Sequence, residues 1–300
     1  MDRGSFLKVA ASSLLAMSAD GVMSKTLKLE TAPTKGLKIR FLGTGAADWN
    51  GRDERGELRR LSSLLVDEKI FFDLTAKCVE MIPQGANPAT IFYTHSHGDH
   101  YHPATALKVG IKDVYISQTW YDIAVADFKR AAKELSLPMP QIHALYIGQP
   151  VRIGDIAITP LPANHVTGYI NEQPLIYLIE KASVRLLYAT DTAGITAAAA
   201  KLSGLDVHNA GKPVTAIIME ATMGLDHDLD FRRFTHSSVG DVERMVKMLT
   251  KTKRYTPPAG QPVYLTHMAR TLHGTQAELD ATLPQPLRAA YDGLEVILTA

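Results

Sequence analysis

TIFYTHSHGDH, residues 90–100, joins a run of β-branched and aromatic residues to a loop that holds three histidines and an aspartate. Its first five residues predict a β-strand. Alternate side chains of an extended segment point the same way, so His95 and His97 can bind one metal ion. Asp99 and His100 lie one step further along and can face a second ion, because the glycine between the pairs permits a sharp turn. The motif therefore predicts a metal site at the end of a strand.

Three isolated residues elsewhere in the chain can complete such a site. Each follows a predicted strand: His165, Asp191 and His267. A single histidine at a strand end is more often a solvated loop residue, but three such placements beside the first motif favour ligands. A carboxylate at position 191 could bridge two cations.

The composition is that of an ordinary globular protein. Of 300 residues, 46% are hydrophobic and 21% are charged, which argues against intrinsic disorder. Thirty-two basic residues against 31 acidic ones give a formal charge of +1, so general attraction of a long polyanion is not expected. Cys78 is the single cysteine, which excludes an intramolecular disulfide framework and a zinc site of several thiolates.

Periodicity and turn residues predict alternating short strands, loops and helices from residue 37 onward. Strands are predicted at 37–43, 63–67, 69–73, 90–94, 156–161, 175–180, 184–190, 214–220, 263–266 and 294–298, with the second and third forming a hairpin. Helices are predicted at 120–135 and from about 238 to 249, the latter beginning at a capping box of Ser238 and Asp241. This order suits one continuous α/β domain of two sheets with helices outside.

The N-terminus has the outline of a signal peptide. An apolar stretch over residues 6–17 follows Arg3 and precedes two small residues, and residues 3–8 resemble a twin-arginine motif whose second arginine is a glycine. We therefore divide the chain into a signal segment or N-terminal extension, 1–27, and a domain, 28–300. Export through this signal would place the protein in the periplasm or outside the cell, and otherwise it would be cytoplasmic. No later segment approaches 18 uninterrupted apolar residues, so no membrane span is expected.

From FLGTGAADW (41–49) to His267, the chain resembles metallo-β-lactamase-fold hydrolases. The resemblance implies a four-layer αββα sandwich with two metal ions in the cleft at one edge of the sheets. It implies one ion held by His95, His97 and His165, a second held by Asp99, His100 and His267, and Asp191 as the bridging ligand. Zn²⁺ is the expected metal, and Mn²⁺, Fe²⁺ or Ni²⁺ suits the same donors.

Three short motifs resemble the phosphodiesterase branch of that family, which includes ribonuclease Z and the cyclic phosphodiesterase of phosphonate breakdown. The first is FLGTGAADW followed by RRLSSLLVD, residues 59–67. The second is Glu220-Ala221-Thr222, which resembles an H-E-A-T box with Met219 in place of its histidine. The third, FTHSS at residues 234–238, resembles an H-S-T segment. In that branch the glutamate orients the histidine, which protonates the leaving oxygen, so the resemblance assigns these roles to Glu220 and His236.

The sequence thus predicts a binuclear phosphodiesterase that acts on a small molecule. Two metals roughly 3.5–4 Å apart can share a hydroxide nucleophile, which Asp99 would orient, while His236 acts as general acid. A helix cap and a strand-end charge are the alternative roles for His236 and Glu220.

Other activities stay open at this stage. The same ligands serve a lactonase or a thioester or carboxyl-ester hydrolase, and a second alternative is transfer-RNA 3′-processing, although nucleic acid is not the expected partner. A third alternative is a non-catalytic metal-binding domain. The complete ligand set and the pair of Glu220 and His236 argue against it. A homodimer and the roles of His102 and of the run 226–228 are also left open.

Overall fold

The computed structural model of the protein describes residues 36–208 and 211–300. The predicted signal segment, 1–27, and its twin-arginine-type motif lie outside these residues, as does the beginning of the domain predicted over 28–300. No helix in the described ranges combines the length and the apolar character that crossing a membrane requires.

The described residues form fourteen strands in two mixed sheets. The strands are β1 (Leu37–Gly43), β2 (Ser63–Val66), β3 (Ile70–Phe72), β4 (Thr90–Phe92), β5 (Asp113–Ser117), β6 (Gln141–Leu145), β7 (Val151–Ile153), β8 (Ile156–Pro162), β9 (Leu175–Lys181), β10 (Val184–Ala189), β11 (Ala216–Glu220), β12 (Val263–Thr266), β13 (Leu287–Ala289) and β14 (Glu295–Leu298). The first sheet has the order β14-β1-β2-β3-β4-β5-β6, and the second β13-β12-β11-β10-β9-β8-β7. All ten predicted strands are confirmed, with ends that differ by at most two residues.

The predicted hairpin is confirmed as the antiparallel pair β2 and β3. Its turn residues Asp67 and Glu68 both have positive φ, 49° and 55°. Two consecutive left-handed residues give a turn whose twist matches that of the flanking strands. The hairpin places Asp73, which directly follows β3, at the edge of the sheet where β4 also ends.

Five α-helices flank the sheets in the described part of the chain: α1 (Pro103–Lys108), α2 (Tyr121–Leu135), α3 (Ala197–Ser203), α4 (Val239–Lys251) and α5 (Gln276–Thr282). The predicted helices correspond to α2 and α4, and the capping box is present, because Ser238 and Asp241 accept each other's backbone N–H groups. The structure adds α1, α3 and α5, together with β5, β6, β7 and β13, to the predicted elements.

The main core lies between the two sheets. Phe72 of β3 packs edge-on against Tyr177 of β9 and Tyr188 of β10, with ring centroids 5.1 and 5.5 Å apart. On the outer face of the first sheet, α2 buries Phe128. On the outer face of the second, α4 buries Val242. Two packed sheets between two helical layers confirm the αββα sandwich of the predicted metallo-β-lactamase fold.

Candidate active site

The predicted site residues lie where strands of both sheets end. β10, β11 and β12 are parallel neighbours, so their carboxyl ends meet at one edge of the second sheet. Asp191 follows β10, Glu220 is the last residue of β11, and His267 directly follows β12. The loop after β4 brings His95 from the first sheet to the same place, where its ring centroid lies 4.8 Å from that of His165.

The first group of donor atoms consists of three imidazole nitrogens. Nε2 of His95 lies 2.9 Å from Nδ1 of His97, and Nε2 of His165 lies 3.2 Å from the same Nδ1. One nitrogen of each of the three rings lies within 4.8 Å of the others. His95 and His97 are two residues apart, and both side chains reach the same point, where His165 supplies the third donor nitrogen.

The second group joins Asp99, His100 and His267. Nε2 of His100 lies 3.2 Å from Oδ2 of Asp99. Nε2 of His267 lies 3.4 Å from that same oxygen and 3.4 Å from Nε2 of His100. His100 and His267 are buried, so these donors face each other and are screened from bulk water.

Asp191 lies between the two groups. Its Oδ1 is 3.6 Å from Nε2 of His165, and its Oδ2 is 3.0 Å from Nε2 of His100 and 3.2 Å from Nε2 of His267. Burial raises the pKa of this carboxyl, but the neighbouring imidazoles of His267 and His100 outweigh burial and lower the pKa well below its usual range. Both Asp191 and His267 have positive φ, 50° and 52°. Such strained backbone concentrates at functional sites.

The second ring nitrogen of four of these histidines contacts a polar group of the protein. The contacts are His95 to Thr94 Oγ1 at 2.9 Å, His100 to Asp73 Oδ2 at 2.7 Å, His165 to the Thr235 carbonyl at 3.0 Å, and His267 to Thr222 Oγ1 at 2.9 Å. A carboxylate or carbonyl only accepts, so Nδ1 of His100 and of His165 carries the proton and Nε2 is free to bind a cation. The donor set and its outer partners therefore fit first-row divalent metals.

Asp73 is a site residue that the sequence analysis did not identify. It is fully buried, has φ of 57°, and accepts hydrogen bonds from the backbone N–H and the hydroxyl of Thr94 as well as from His100. Its position at the end of KIFFD (69–73), directly after β3, was the available signal, as the position after β10 was for Asp191. Asp73 therefore orients the His100 ring by binding Nδ1, while Nε2 faces the donor groups.

We expect Asp73→Asn to weaken metal binding by about 10–100-fold, because an amide holds the His100 ring less firmly than a carboxylate does. Competition with a chelator measures the affinity. Asp113→Asn is the matched control, because Asp113 forms a similar contact, 2.9 Å to Nε2 of His143, away from the site. Equal affinities in the Asp73 variant and the control would remove Asp73 from the site.

Glu172 supports the loop that carries His95 and His97 and was likewise not predicted. Its two carboxylate oxygens accept hydrogen bonds from the backbone N–H and the hydroxyl of Ser96, the residue between the two histidines. Glu172 is buried, and 76 residues separate it from Ser96. No local pattern in the sequence reveals a contact between residues so far apart.

His236 and Glu220 form a pair beside the donor groups. Nδ1 of His236 lies 3.0 Å from Oε1 of Glu220, and the imidazole stacks at 5.5 Å on that of His267. Glu220 is fully buried and also accepts hydrogen bonds from the N–H groups of Thr192 and Thr222. Burial lowers the pKa of His236, but the charge of Glu220 and its hydrogen bond outweigh burial and raise the pKa to about 9.

Thr222 links this pair to the second group. Its hydroxyl donates to Glu220 and accepts from Nδ1 of His267, while Nδ1 of His236 is 3.1 Å away. A protonated Nδ1 leaves Nε2 of His267 free to bind a cation. The Glu-Ala-Thr motif includes Thr222, but the sequence analysis predicts no role for this residue.

A cavity of about 240 Å³ opens over the donor groups. Its walls include His97, Asp99, His165, Asp191, His236 and His267. They also include Arg232, whose guanidinium is 3.0 Å from Oδ2 of Asp230. A cationic side chain beside paired donor groups suits an anionic substrate.

The residues whose roles were left open lie outside this cavity. His102 occupies the N-cap position of α1, but its side chain contacts the carbonyl of Gly98 and makes no capping hydrogen bond. Asp228 accepts from the hydroxyl of Ser238 and from Arg244, at the start of α4. Asp226 and His227 line a separate cavity of about 290 Å³. None of these four lines the cavity over the donor groups.

Comparison with known proteins agrees with this architecture. The profile of the beta-lactamase superfamily domain matches residues 72–268. A diphosphatase of the PhnP family is 18% identical, with 88% of this chain and 100% of that chain covered and a TM-score of 0.60. The human short-form tRNase Z is 15% identical, with 88% and 100% covered and a TM-score of 0.61. Zn²⁺-bound PqqB from Methylobacterium extorquens is 16% identical, with 86% and 99% covered and a TM-score of 0.60. Among curated proteins none matches in sequence.

Proposed function

The chain belongs to the beta-lactamase superfamily, and we propose that it is a binuclear phosphodiesterase acting on a small molecule. The fold and the donor residues of this chain indicate a metal-dependent hydrolase. The observation that carries this proposal is the contact between Nδ1 of His236 and Glu220 beside the donor groups. A phosphodiester with an alkyl leaving group expels a strongly basic oxygen, which needs a proton donor.

Seven residues are the proposed ligands, namely the three of each group and the carboxylate that lies between the groups. His95, His97 and His165 would hold one ion, Asp99, His100 and His267 the other, and Asp191 would bridge them. Divalent cations bound there would supply positive charge to the phosphoryl oxygens and make water a better nucleophile at neutral pH. Zn²⁺ is the proposed metal, in line with the zinc in the similar PqqB structure, and Mn²⁺, Fe²⁺ and Ni²⁺ suit the same donors.

Side chains of the protein would orient the substrate and the attacking water and would protonate the leaving oxygen. Glu220 fixes Nδ1 of His236, so Nε2 is left to present a proton to the leaving oxygen. The buried charge of Glu220 also stabilises the imidazolium, consistent with the raised pKa of His236. Arg232, on the cavity wall, would contact a phosphoryl oxygen of the substrate. Asp99 would orient the attacking water as well as bind metal.

A hydrolysis panel on metal-loaded protein tests the proposal against the ester and ribonuclease alternatives. We expect kcat/KM for cyclic phosphates and for bis-aryl phosphates to exceed the values for lactones and thioesters by at least about tenfold, because a phosphodiester brings an anionic phosphoryl group to the cationic site, whereas lactones and thioesters are neutral. The chelated protein is the control. Preference for a lactone or a thioester would establish the ester hydrolase instead. Cleavage of a transfer-RNA precursor with no turnover of small phosphodiesters would establish the ribonuclease.

A further inference from the structure

A second and larger cavity adjoins the one over the donor groups. Its volume is about 540 Å³, within the range of small-molecule sites. It lies between α3 and α4, which contribute Ala200 and Met245 to its walls. His236 lines both cavities, so the proposed proton donor forms a shared wall between them.

The interior of this cavity is apolar, and its rim is polar. Met219, Leu205 and Leu249 form the buried part, each at most 4% exposed. Methionine and leucine walls exclude water, and methionine adapts to groups of different shape. On the rim, Arg244 is paired with carboxylates of α4 and of the preceding loop, and Phe234 is 77% exposed.

We infer that this cavity binds the leaving group of the substrate, an aromatic or branched-alkyl alcohol; the inference rests on the proposed phosphodiesterase function. In the hydrolysis, water oxygen forms a bond to phosphorus, and the bond from phosphorus to the leaving oxygen breaks. That oxygen keeps the electron pair and takes the proton of Nε2 of His236, while the attacking water gives up one proton to solvent, from which His236 is reprotonated for the next turnover. A proton donor must lie within hydrogen-bond reach of the atom that it protonates. The leaving group therefore lies on the side of His236, and the apolar space on that side is this cavity.

Its apolar walls would select substrates by size and apolarity of the alcohol. Burying an aromatic ring there removes its surface from water, whereas a small alcohol leaves most of the 540 Å³ to solvent. The carbon skeleton of the leaving group, and not only its acidity, would then set the rate.

Binding of 2-naphthol, measured by calorimetry, tests the cavity independently of catalysis. Ala200→Phe and Met248→Trp each place an aromatic ring into the cavity, and Met248 lies on the half-exposed side of α4, so its variant disturbs the core little. Ala198→Phe is the matched control, because Ala198 is an exposed residue of α3 that does not line the cavity. We expect saturable binding to the parent, weakened about tenfold or more in both filling variants and unchanged in the control.

Kinetics on methyl 2-naphthyl phosphate and methyl phenyl phosphate tests the leaving-group assignment. We expect the filling variants to lower kcat/KM for the naphthyl ester by about tenfold or more and to affect the phenyl ester less, because the smaller ring needs less of the space. Ala198→Phe should leave both values unchanged.

The two measurements separate the possible failures. Absence of 2-naphthol binding to the parent, or binding that neither filling variant weakens, overturns the inference. Binding that the variants weaken, with no change in the ratio of the two esters, also overturns it, because the cavity then serves another ligand. If no phosphodiester is hydrolysed at all, the proposed function fails and the leaving-group inference fails with it. The 2-naphthol measurement would then still show whether the cavity binds an aromatic ring.

Discussion

Asp191→Asn is expected to lower the metal content from about two ions per chain to one or fewer and to reduce phosphodiester hydrolysis by roughly 10³-fold or more. The two oxygens of Asp191 face different donor groups, so neutralising this carboxylate weakens both sites together. Asparagine is chosen because φ is 50° at this position, a conformation that Asn tolerates and that Ala would strain.

Elemental analysis and the rate with a phosphodiester substrate measure these effects. Asp155→Asn is the control, since Asp155 is exposed and its ion pair with Lys181 lies away from the site. An Asp191→Asn protein that retains two ions and the parent rate would contradict the bridging role.

His236→Ala is expected to reduce the rate with a poor leaving group by about 10²–10⁴-fold while the metals stay bound. His236 contacts the donor groups through ring stacking, and its Nδ1 is directed to Glu220, so its loss removes a proton donor and no proposed ligand. Glu220→Gln should cost less, because it keeps the shape of the side chain and weakens only the orientation and charge of His236.

The double variant separates a functional unit from two independent residues. If Glu220 acts through His236, Glu220→Gln adds little once His236 is alanine, and the combined loss is far smaller than the product of the single losses. His143→Ala is the control for removal of a histidine away from the site. Losses that multiply would mean that the two residues work separately, as a helix-start residue and a strand-end charge.

The fold, and the strand ends at which the candidate ligands lie, were largely predictable because they follow from short local signals. TIFYT leads into the histidine loop, and the predicted strands 184–190 and 263–266, which are mostly β-branched or apolar, end directly before candidate ligands. Parallel strands bring such ends to one edge, so separate signals converge on one site. The structure brings Asp191 and His267 to within 3.2 Å of each other, although 76 residues separate them in sequence.

The remaining features depend on contacts or lengths that a single sequence does not reveal. Glu172 binds Ser96 from 76 residues away, and Asp73, although its place at a strand end was a signal, contacts His100 across 27 residues. The helices α1, α3 and α5 have six or seven residues, too few for a helical period to emerge. The cavity beside His236 arises from the packing of α3 and α4, which no motif records.

The dependence of rate on the acidity of the leaving group tests the central claim most directly. A series of methyl aryl and methyl alkyl phosphates, from 4-nitrophenolate to simple alkoxides, is hydrolysed by the parent and by His236→Ala, with kcat/KM plotted against the pKa of the leaving alcohol. We expect the variant to lose about 10²–10⁴-fold with alkoxides and less than about tenfold with nitrophenolate, which departs without a proton, so its plot is the steeper one. Parallel plots, with one constant penalty across the series, would contradict protonation of the leaving oxygen by His236.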